Sequence, residues 1–318
     1  MKIVTYNVQW FKGLDNVVDI ARVIKVAREM ADFDALCLQE VAVNYTALTG
    51  TLQPDQPAIV KQLLPGFEIF FSPAIDELSP CGTMRQQFGN LIATRLPARQ
   101  VQHTPLPYPN PPMAQPTPSM QRIALTCTVQ APWGPVRLIT SHLEYYNQVM
   151  RHAQTRALRD LHVQGCALAA QPSKTEQGTP YQPKPLTTDT IICGDFNFEP
   201  DSEEYATMTQ AGDGITGAQA SAAAQGGVVH TGAAQTGTAQ TQTTGKLLNS
   251  FDLLHPGAAY PSTFRLFDRT YGPEPVGCDF FFVSDSLSHR VKGFAVNQTT
   301  QASDHQPVLL ELEGVEPA

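Results

Sequence analysis

Five short strings in this chain set carboxylates, amides and imidazoles directly behind apolar runs: Tyr6-Asn7, Leu38-Gln39-Glu40, Ser141-His142-Leu143-Glu144, Gly194-Asp195-Phe196-Asn197 and Ser303-Asp304-His305. Strand ends are where a rigid scaffold displays reactive groups. Taken singly, each string has an ordinary explanation. A Glu after a buried strand usually opens a solvated loop, and an Asp-x-Asn after Gly usually makes a turn by bonding nearby backbone. Together they supply the parts of a phosphoester hydrolysis. Such a substrate is anionic and repels hydroxide until its charge is neutralised. Glu40 and Asp304 offer hard oxygen ligands that suit Mg²⁺, an ion that polarises a phosphoryl oxygen and steadies a leaving one. His305 or Asp195 can take a proton from water. Asp279 is the carboxylate available to orient an imidazole. Asn7, Asn197 and His142 carry donors that can hold phosphoryl oxygens as charge grows.

The elements that must position these groups follow from hydrophobic periodicity. Ile3 to Val8 reads as a first strand and Asp34 to Gln39 as a second, ending at Glu40. Between them, Asn16 to Met30 has helical spacing in Val17, Ile20, Ala21, Ile24 and Ala27, with Asp15 or Asn16 as its cap. Phe67 to Phe71 and Asn90 to Thr94 are further strands. Gln121 to Gln130 and Val136 to Ser141 form a hairpin across Pro132-Trp133-Gly134-Pro135. Asn147 to about Ala170 is a helix with Met150, Leu158, Leu161 and Leu168 on one face. Asp189 to Gly194, Cys278 to Ser284 and Val308 to Leu312 are late strands. Alternating helices and strands, then mainly strands, suit sheets at the centre with helices outside. Thr104 to Ser119 is proline-crowded and reads as an extended surface loop. Gln171 to Leu186 reads as a polar loop. Residues at about 212–246, rich in Ala, Gly, Gln and Thr, lack the apolar surface to offset their ordering entropy and read as a flexible insertion.

Composition narrows the partners. The 318 residues are 42% hydrophobic, enough for a sizeable core, and only 16% charged. With 21 Lys and Arg and a net charge of −8, bulk electrostatics argue against tight binding of long nucleic acid. The six cysteines form no CxxC pair and read as buried reduced thiols rather than a zinc site. Met1 to Asn7 starts a strand rather than a signal peptide, and no apolar run approaches a membrane span. The expected location is cytoplasmic, and no protein partner is implied.

Asn7, Leu38-Gln39-Glu40, Gly89-Asn90, Ser141-His142-Leu143, Gly194-Asp195-Phe196-Asn197, Cys278-Asp279-Phe280 and Ser303-Asp304-His305 resemble the ordered motifs of the endonuclease/exonuclease/phosphatase (deoxyribonuclease-I-like) superfamily. The match runs from Asn7 to His305 in the family's order. It implies an α/β (α+β) class fold, a four-layer αββα sandwich of two packed mixed β-sheets flanked by helices, in a single domain over 1–318. It implies a Mg²⁺-dependent hydrolase of phosphate esters, with Mn²⁺ as a substitute. It implies roles: Glu40 as principal metal ligand with Asn7 and Asp304 near the metal, and Asp195 beside Asn197 positioning or activating water. His305 with Asp279 becomes a general base or phosphate-orienting dyad, and His142 a phosphate-binding histidine. Asn90, Arg122 and Arg151 make the substrate-binding set, the arginines as phosphate contacts or supports from behind. Trp10, Phe11, Tyr145 and Tyr146 follow motif residues and either wall a base or lipid group by stacking or serve ordinary core packing. Many relatives have Arg-Ile-Asp where this chain has Gly277-Cys278-Asp279, so a basic residue is missing there; Arg265 or Arg269 is a candidate replacement, and no replacement at all is the alternative. The partner is a phosphate-ester substrate. Nucleic acid is first by family, and a small-molecule, inositol-phosphate or phospholipid-headgroup ester is its competitor. A binding protein that keeps the fold without the chemistry is the alternative of another class.

Overall fold

The computed structural model describes residues 1–51, 54–111, 116–210 and 245–314. Each of two sheets is organised round a parallel strand pair. β1 (Lys2–Asn7) runs parallel to β2 (Ala35–Val43), with α1 (Ile20–Met30) as the crossover that a parallel pair requires. Next come α2 (Thr46–Thr49), α3 (Gln56–Leu63), β3 (Glu68–Leu78), β4 (Arg85–Thr94), β5 (Ala98–Pro105) and β6 (Ile123–Ala131). β7 (Gly134–His142) is parallel to β8 (Thr190–Asp195), crossing through α4 (Gln148–Ala170). The chain ends through α5 (Glu203–Thr209), β9 (Leu247–Asn249), a short helix Ser250–Leu254, β10 (Asp279–Ser284), β11 (Val291–Val296) and β12 (Val308–Leu312). Among the described residues the sheets are six-stranded, in the orders β11-β12-β1-β2-β4-β3 and β5-β6-β7-β8-β10-β9. All pairings other than β1·β2 and β7·β8 are antiparallel.

Period-two alternation turns one side chain in two towards the facing sheet. Ile3, Cys37, Ile92, Leu125, Leu138, Cys193, Phe281 and Leu310 interdigitate there as one buried cluster. The other faces are covered by helices. Val4, Tyr6 and Leu36 pack under Ile20, Val23, Ile24 and Ala27 of α1 and Val60 of α3. Ile139, Ile192, Phe280 and Phe282 pack under Leu158 of α4 and Met208 of α5. Each fully buried aliphatic contributes about 1.5–3 kcal/mol, so helix-on-sheet packing holds both crossovers, and the strand ends with them. The result is the four-layer αββα sandwich. Near the ends of β1, β2 and β7 a polar bridge crosses the interior: Gln39 Nε2 donates to Thr5 Oγ1 at 3.1 Å in its own sheet and to Thr140 Oγ1 at 2.8 Å in the other.

Several boundaries differ from the sequence reading. α1 begins at Ile20 because Asp19, not Asp15 or Asn16, accepts from Arg22 N; Asp15 pairs with the Arg22 guanidinium instead. Asn16 is left-handed (φ 61°) and Val17 is 52% exposed. In α4, Asn147 caps the first turn by accepting from Met150 N, but Leu168 is exposed near the far end. β5, β9 and β11 do not emerge from the sequence pattern. Thr104 and Pro105 finish β5, and the described part of the proline-crowded segment is irregular. Cys37, Cys127, Cys193 and Cys278 are buried free thiols, whereas Cys81 is exposed and Cys166 half-buried. The insertion expected at about 212–246 lies outside the described residues apart from Gly245 and Lys246. Among the described residues, no helix is long and apolar enough to cross a membrane.

Candidate active site

Each reactive side chain is delivered by a local irregularity at a strand end. In β2, Leu38 pairs with Leu91 and Val41 with Gly89, so Gln39 and Glu40 together face the single residue Asn90. This bulge re-aims Glu40, which sits at φ 62°. β1 runs out at Asn7 into the tight turn Gln9–Phe11. β8 ends at Gly194-Asp195. Gly194 has φ 138°, and a Cβ there would lie 1.9 Å from Ser141 O, so only glycine lets β8 pair this closely with β7. Ser303 Oγ ties the Asp304–His305 corner to the end of β1 by donating to Asn7 O at 2.8 Å.

These corners meet in one cleft of about 240 Å³ lined by Glu40, Arg122, His142, Asp195, Asn197, Asp304 and His305. Asn7 Nδ2 bridges two carboxylates, donating to Glu40 Oε1 at 3.1 Å and Asp195 Oδ2 at 2.9 Å. Its Oδ1 accepts from Gln9 N, so in this orientation Asn7 orders the acids rather than offering an oxygen to them. Asn197, left-handed at φ 53°, donates its backbone N–H to Asp195 Oδ1 at 3.0 Å. Its Nδ2 donates to Leu143 O and to His142 Nε2, both at 3.0 Å. Because the carbonyl fixes which amide atom faces that way, His142 Nε2 is the acceptor and Nδ1 carries the proton. His305 Nδ1 lies 2.9 Å from Asp279 Oδ2, and the same oxygen accepts from Thr263 Oγ1 at 2.6 Å. His142 and His305 flank Asp195 Oδ2, their Nε2 atoms at 3.4 and 3.5 Å.

The electrostatics are uneven. Burial, then the charge of Asp304, push Glu40 up to about 7. Burial raises Asp304 as well. Burial, then the Arg122 cation, drive His142 down to about 3. Burial also works against the charge on His305, but Asp279 and Asp195 outweigh it and hold His305 well above the usual imidazole range. Arg122 is 7% exposed, and its Nε and Nη1 are closed to solvent without a hydrogen-bond partner.

Two predicted residues are engaged by the protein's own groups, and Asn90 also lines a small void beside Glu40, Arg122 and His142. Arg151 Nε pairs with Glu204 at 3.1 Å, and its Nη1 donates to Glu144 O and Tyr145 O, so it braces the loop after His142. Asn90 is buried behind the cleft, its Nδ2 donating to Ile123 O at 2.8 Å. Trp10, Tyr145 and Tyr146 line the cleft, whereas Phe11 is core. The missing basic residue has a steric cause: a Cβ on Gly277 would meet Tyr260 Cδ1 at 2.5 Å and Pro261 O at 2.7 Å. Arg265 lies over the Phe264 ring and lines an adjoining cavity of about 250 Å³ with Arg151, while Arg269 is exposed. The sequence reading missed Gln9, whose Nε2 donates to Asp304 Oδ2 at 2.9 Å, and Thr263 beneath Asp279. It also missed Phe264, stacked on His305 with centroids 4.3 Å apart, and Tyr271 at the rim. Gln9, two residues past Asn7, had a positional signal; the other three sit in a long irregular segment without one.

Asp195, Cys278 and His305 also bring three ligating atoms within 4.8 Å of one another. A buried thiol, held well above its usual range by burial, suits softer ions better than Mg²⁺.

A family model described as the Endonuclease/Exonuclease/phosphatase family matches residues 4–305. Among solved structures, an endonuclease/exonuclease/phosphatase from Beutenbergia cavernae is similar at 20% identity and TM-score 0.63, over 99% of this chain and 72% of that one. A mannosyl-6-phosphatase from Bacteroides thetaiotaomicron is similar at 16% identity and TM-score 0.59, over 98% and 99%. A 3′ phosphatase from Neisseria bound to a product DNA hairpin is similar at 17% identity and TM-score 0.56, over 98% of this chain and 99% of that one. A search of curated proteins finds no match.

Proposed function

We propose, from the premise that the chain belongs to the endonuclease/exonuclease/phosphatase family, that it is a Mg²⁺-dependent phosphate-ester hydrolase acting from a single domain. The observation that carries this reading is Arg122. A cation taken out of water without a partner is costly, and this one lines the same cleft as Glu40, Asp195 and His305. A phosphoryl group is the anion that completes it, because a guanidinium matches two of its oxygens at once.

The carboxylates fit a divalent cation. Glu40 and Asp304 supply hard oxygens, and burial raises both, with Asp304 the next influence on Glu40, although the His305 cation pulls each the other way; a bound divalent cation would favour their charged forms. Glu40 and Asp304 would hold the ion, with Asn7 and Gln9 fixing their carboxylates. When bound, Mg²⁺ would neutralise phosphoryl charge and favour departure of the alcohol oxygen. The chain's own groups do the rest. Asp195, aligned by Asn7 and the Asn197 N–H, accepts the proton of the attacking water. His305, held by Asp279, donates to a phosphoryl oxygen through Nε2. Neutral His142 donates through Nδ1 and is kept in that tautomer by Asn197.

Small phosphate esters suit the site better than long nucleic acid, since Arg122 is the one Lys or Arg lining the cleft among the described residues. The two named phosphatases act, as their names say, on a mannosyl phosphate and at a 3′ end, so a monoester is the first class to assay. The test compares wild type with Glu40→Ala and His305→Ala on phosphomonoesters, bis-nitrophenyl phosphate, plasmid, single-stranded DNA and RNA, with Mg²⁺, Mn²⁺ or chelator. We expect metal-dependent release of phosphate or alcohol, lost by at least about 10³-fold in both variants. Turnover that survives chelation, or that both variants retain, would sink the reading and favour a binding protein with this fold.

A further inference from the structure

Three consecutive residues with side chains, Gln9, Trp10 and Phe11, have φ of 45°, 45° and 64°. Left-handed backbone is unfavourable wherever a Cβ is present, and single residues rather than runs normally adopt it. The turn is fastened on both sides. Gln9 donates from its backbone to Asn7 Oδ1 and from Nε2 to Asp304 Oδ2. Phe11 is fully buried in the core under α1. Gln56, itself fully buried, donates from Nε2 to Trp10 O at 2.8 Å and accepts from Ala42 N. Gln9 and Phe11 are thus accounted for by anchoring. Trp10 belongs to no core cluster among the described residues; it lines the catalytic cleft, with Lys12 Nζ 5.1 Å from its ring centre. Its indole N–H is closed to solvent and has no acceptor.

The rest of the cleft suits a flat guest. From His305 a run of rings leads outward: Phe264 stacks on the imidazole, Tyr271 lies 6.1 Å from Phe264, Tyr145 6.2 Å from Tyr271, and Tyr146 4.8 Å from Tyr145. Tyr146 and Tyr271 are about half exposed. A cleft of about 240 Å³ has room for one ring and its phosphate-bearing arm.

We propose that Trp10 is the substrate-selecting residue, and that the substrate is a single small phosphate ester whose alcohol carries a flat ring stacked on the indole. The phosphate end of this inference rests on the hydrolase reading above; the ring end rests on Trp10. The chain has two tryptophans, and the other, Trp133, lies at the β6–β7 turn against Arg290. Trp133→Phe therefore leaves Trp10 as the lone indole reporter. This variant is titrated with two matched pairs: AMP against ribose 5-phosphate, which share their ester linkage, and phenyl phosphate against butyl phosphate. A short oligonucleotide tests the polymeric source of the same ring. We expect saturable fluorescence changes with AMP and phenyl phosphate, and binding about 10- to 100-fold tighter than for their ringless partners. In kinetics, Trp10→Leu is expected to reduce the ringed-to-ringless ratio of kcat/KM by the same factor, whereas a merely structural role would lower both substrates together.

Equal binding within each pair, or an unchanged ratio in Trp10→Leu, overturns the proposal. Tighter saturable binding of the oligonucleotide than of AMP overturns the small-substrate claim. Because the fluorescence readout needs no turnover, ring-selective binding without hydrolysis strikes the hydrolase reading alone. Hydrolysis without ring selectivity strikes this inference alone.

Discussion

His142 and His305 stand on either side of the same oxygen of Asp195, at 3.4 and 3.5 Å, yet are driven to opposite protonation states. Both are buried, and burial alone would make both neutral. The difference lies in what stands behind each ring. Behind His305 is Asp279, fully buried and 2.9 Å away, whose carboxylate favours the imidazolium. Near His142 is the Arg122 cation, which reinforces burial and drives the ring down to about 3. One strand end therefore presents a positive donor and the other a neutral donor of fixed tautomer. A site that must hold an anion while leaving a water proton somewhere to go needs both, and residue type alone could not distinguish them.

The sharpest way to break this asymmetry is Asp279→Asn. It keeps shape but removes the charge that holds His305 protonated. We expect kcat to fall by about 10²–10⁴-fold, with the His305 ring nitrogens moving towards neutral shifts in ¹⁵N NMR at pH 7. Unchanged kcat would mean that His305 does not work as a cation. Next in size is His142→Ala, which removes a neutral transition-state donor, with an expected loss of about 10²–10³-fold in kcat. An effect confined to KM would instead assign His142 to ground-state binding. Arg122→Met should raise KM about tenfold to hundredfold, the range for losing hydrogen bonds to a charged group. It should not lower Tm, because two of the Arg122 guanidinium nitrogens are buried without a hydrogen bond among the described residues and burial outweighs the attraction of Glu144, Glu40 and Asp195. A fall in both affinity and Tm would mean that Arg122 is structural.

Much of this site was legible beforehand because strand ends carry a sequence signature: an apolar run followed at once by Glu40, His142, Asp195 or Asp304. What determines each residue's state was less so. The bulge that turns Glu40 inward is a register event between β2 and β4, and nothing within Leu38-Gln39-Glu40 announces it. Asp279 was readable as a partner for His305, but Thr263, which donates to the same oxygen, reaches it from 16 residues away through an irregular segment. Arg151 was readable as a phosphate contact or as a support from behind, and the choice between them turns on Glu204, which reaches it from another helix. Among the strands, β5 was missed because it is a half-exposed polar run at a sheet edge, and edge strands lack the two-sided apolar burial that makes β8 obvious. The left-handed turn at Gln9–Phe11 contains no glycine, so local rules point away from it.

A third histidine provides the control with the smallest expected effect. His162 on α4 is buried against β8, its Nδ1 3.1 Å from Thr190 Oγ1, with no carboxylate in contact among the described residues. Burial, then the Arg137 cation, lower it to about 4 from an ordinary 6.5. These are the two influences that act first on His142, without the surrounding acids. In the unfolded chain His162 takes up its proton near 6.5, whereas the folded protein refuses it until about 4. Between those values the unfolded state binds more protons, so folding stability from this group is fully present above about pH 6.5 and is lost as pH falls towards 4. The expected size is about 1–2 kcal/mol. Chemical denaturation at pH 7 and pH 5 should therefore show a drop in wild type that His162→Gln reduces. An undiminished drop in that variant would mean that burial beside an arginine does not hold an imidazole neutral in this protein, and the account of His142 would have to rest on its hydrogen bond from Asn197 instead.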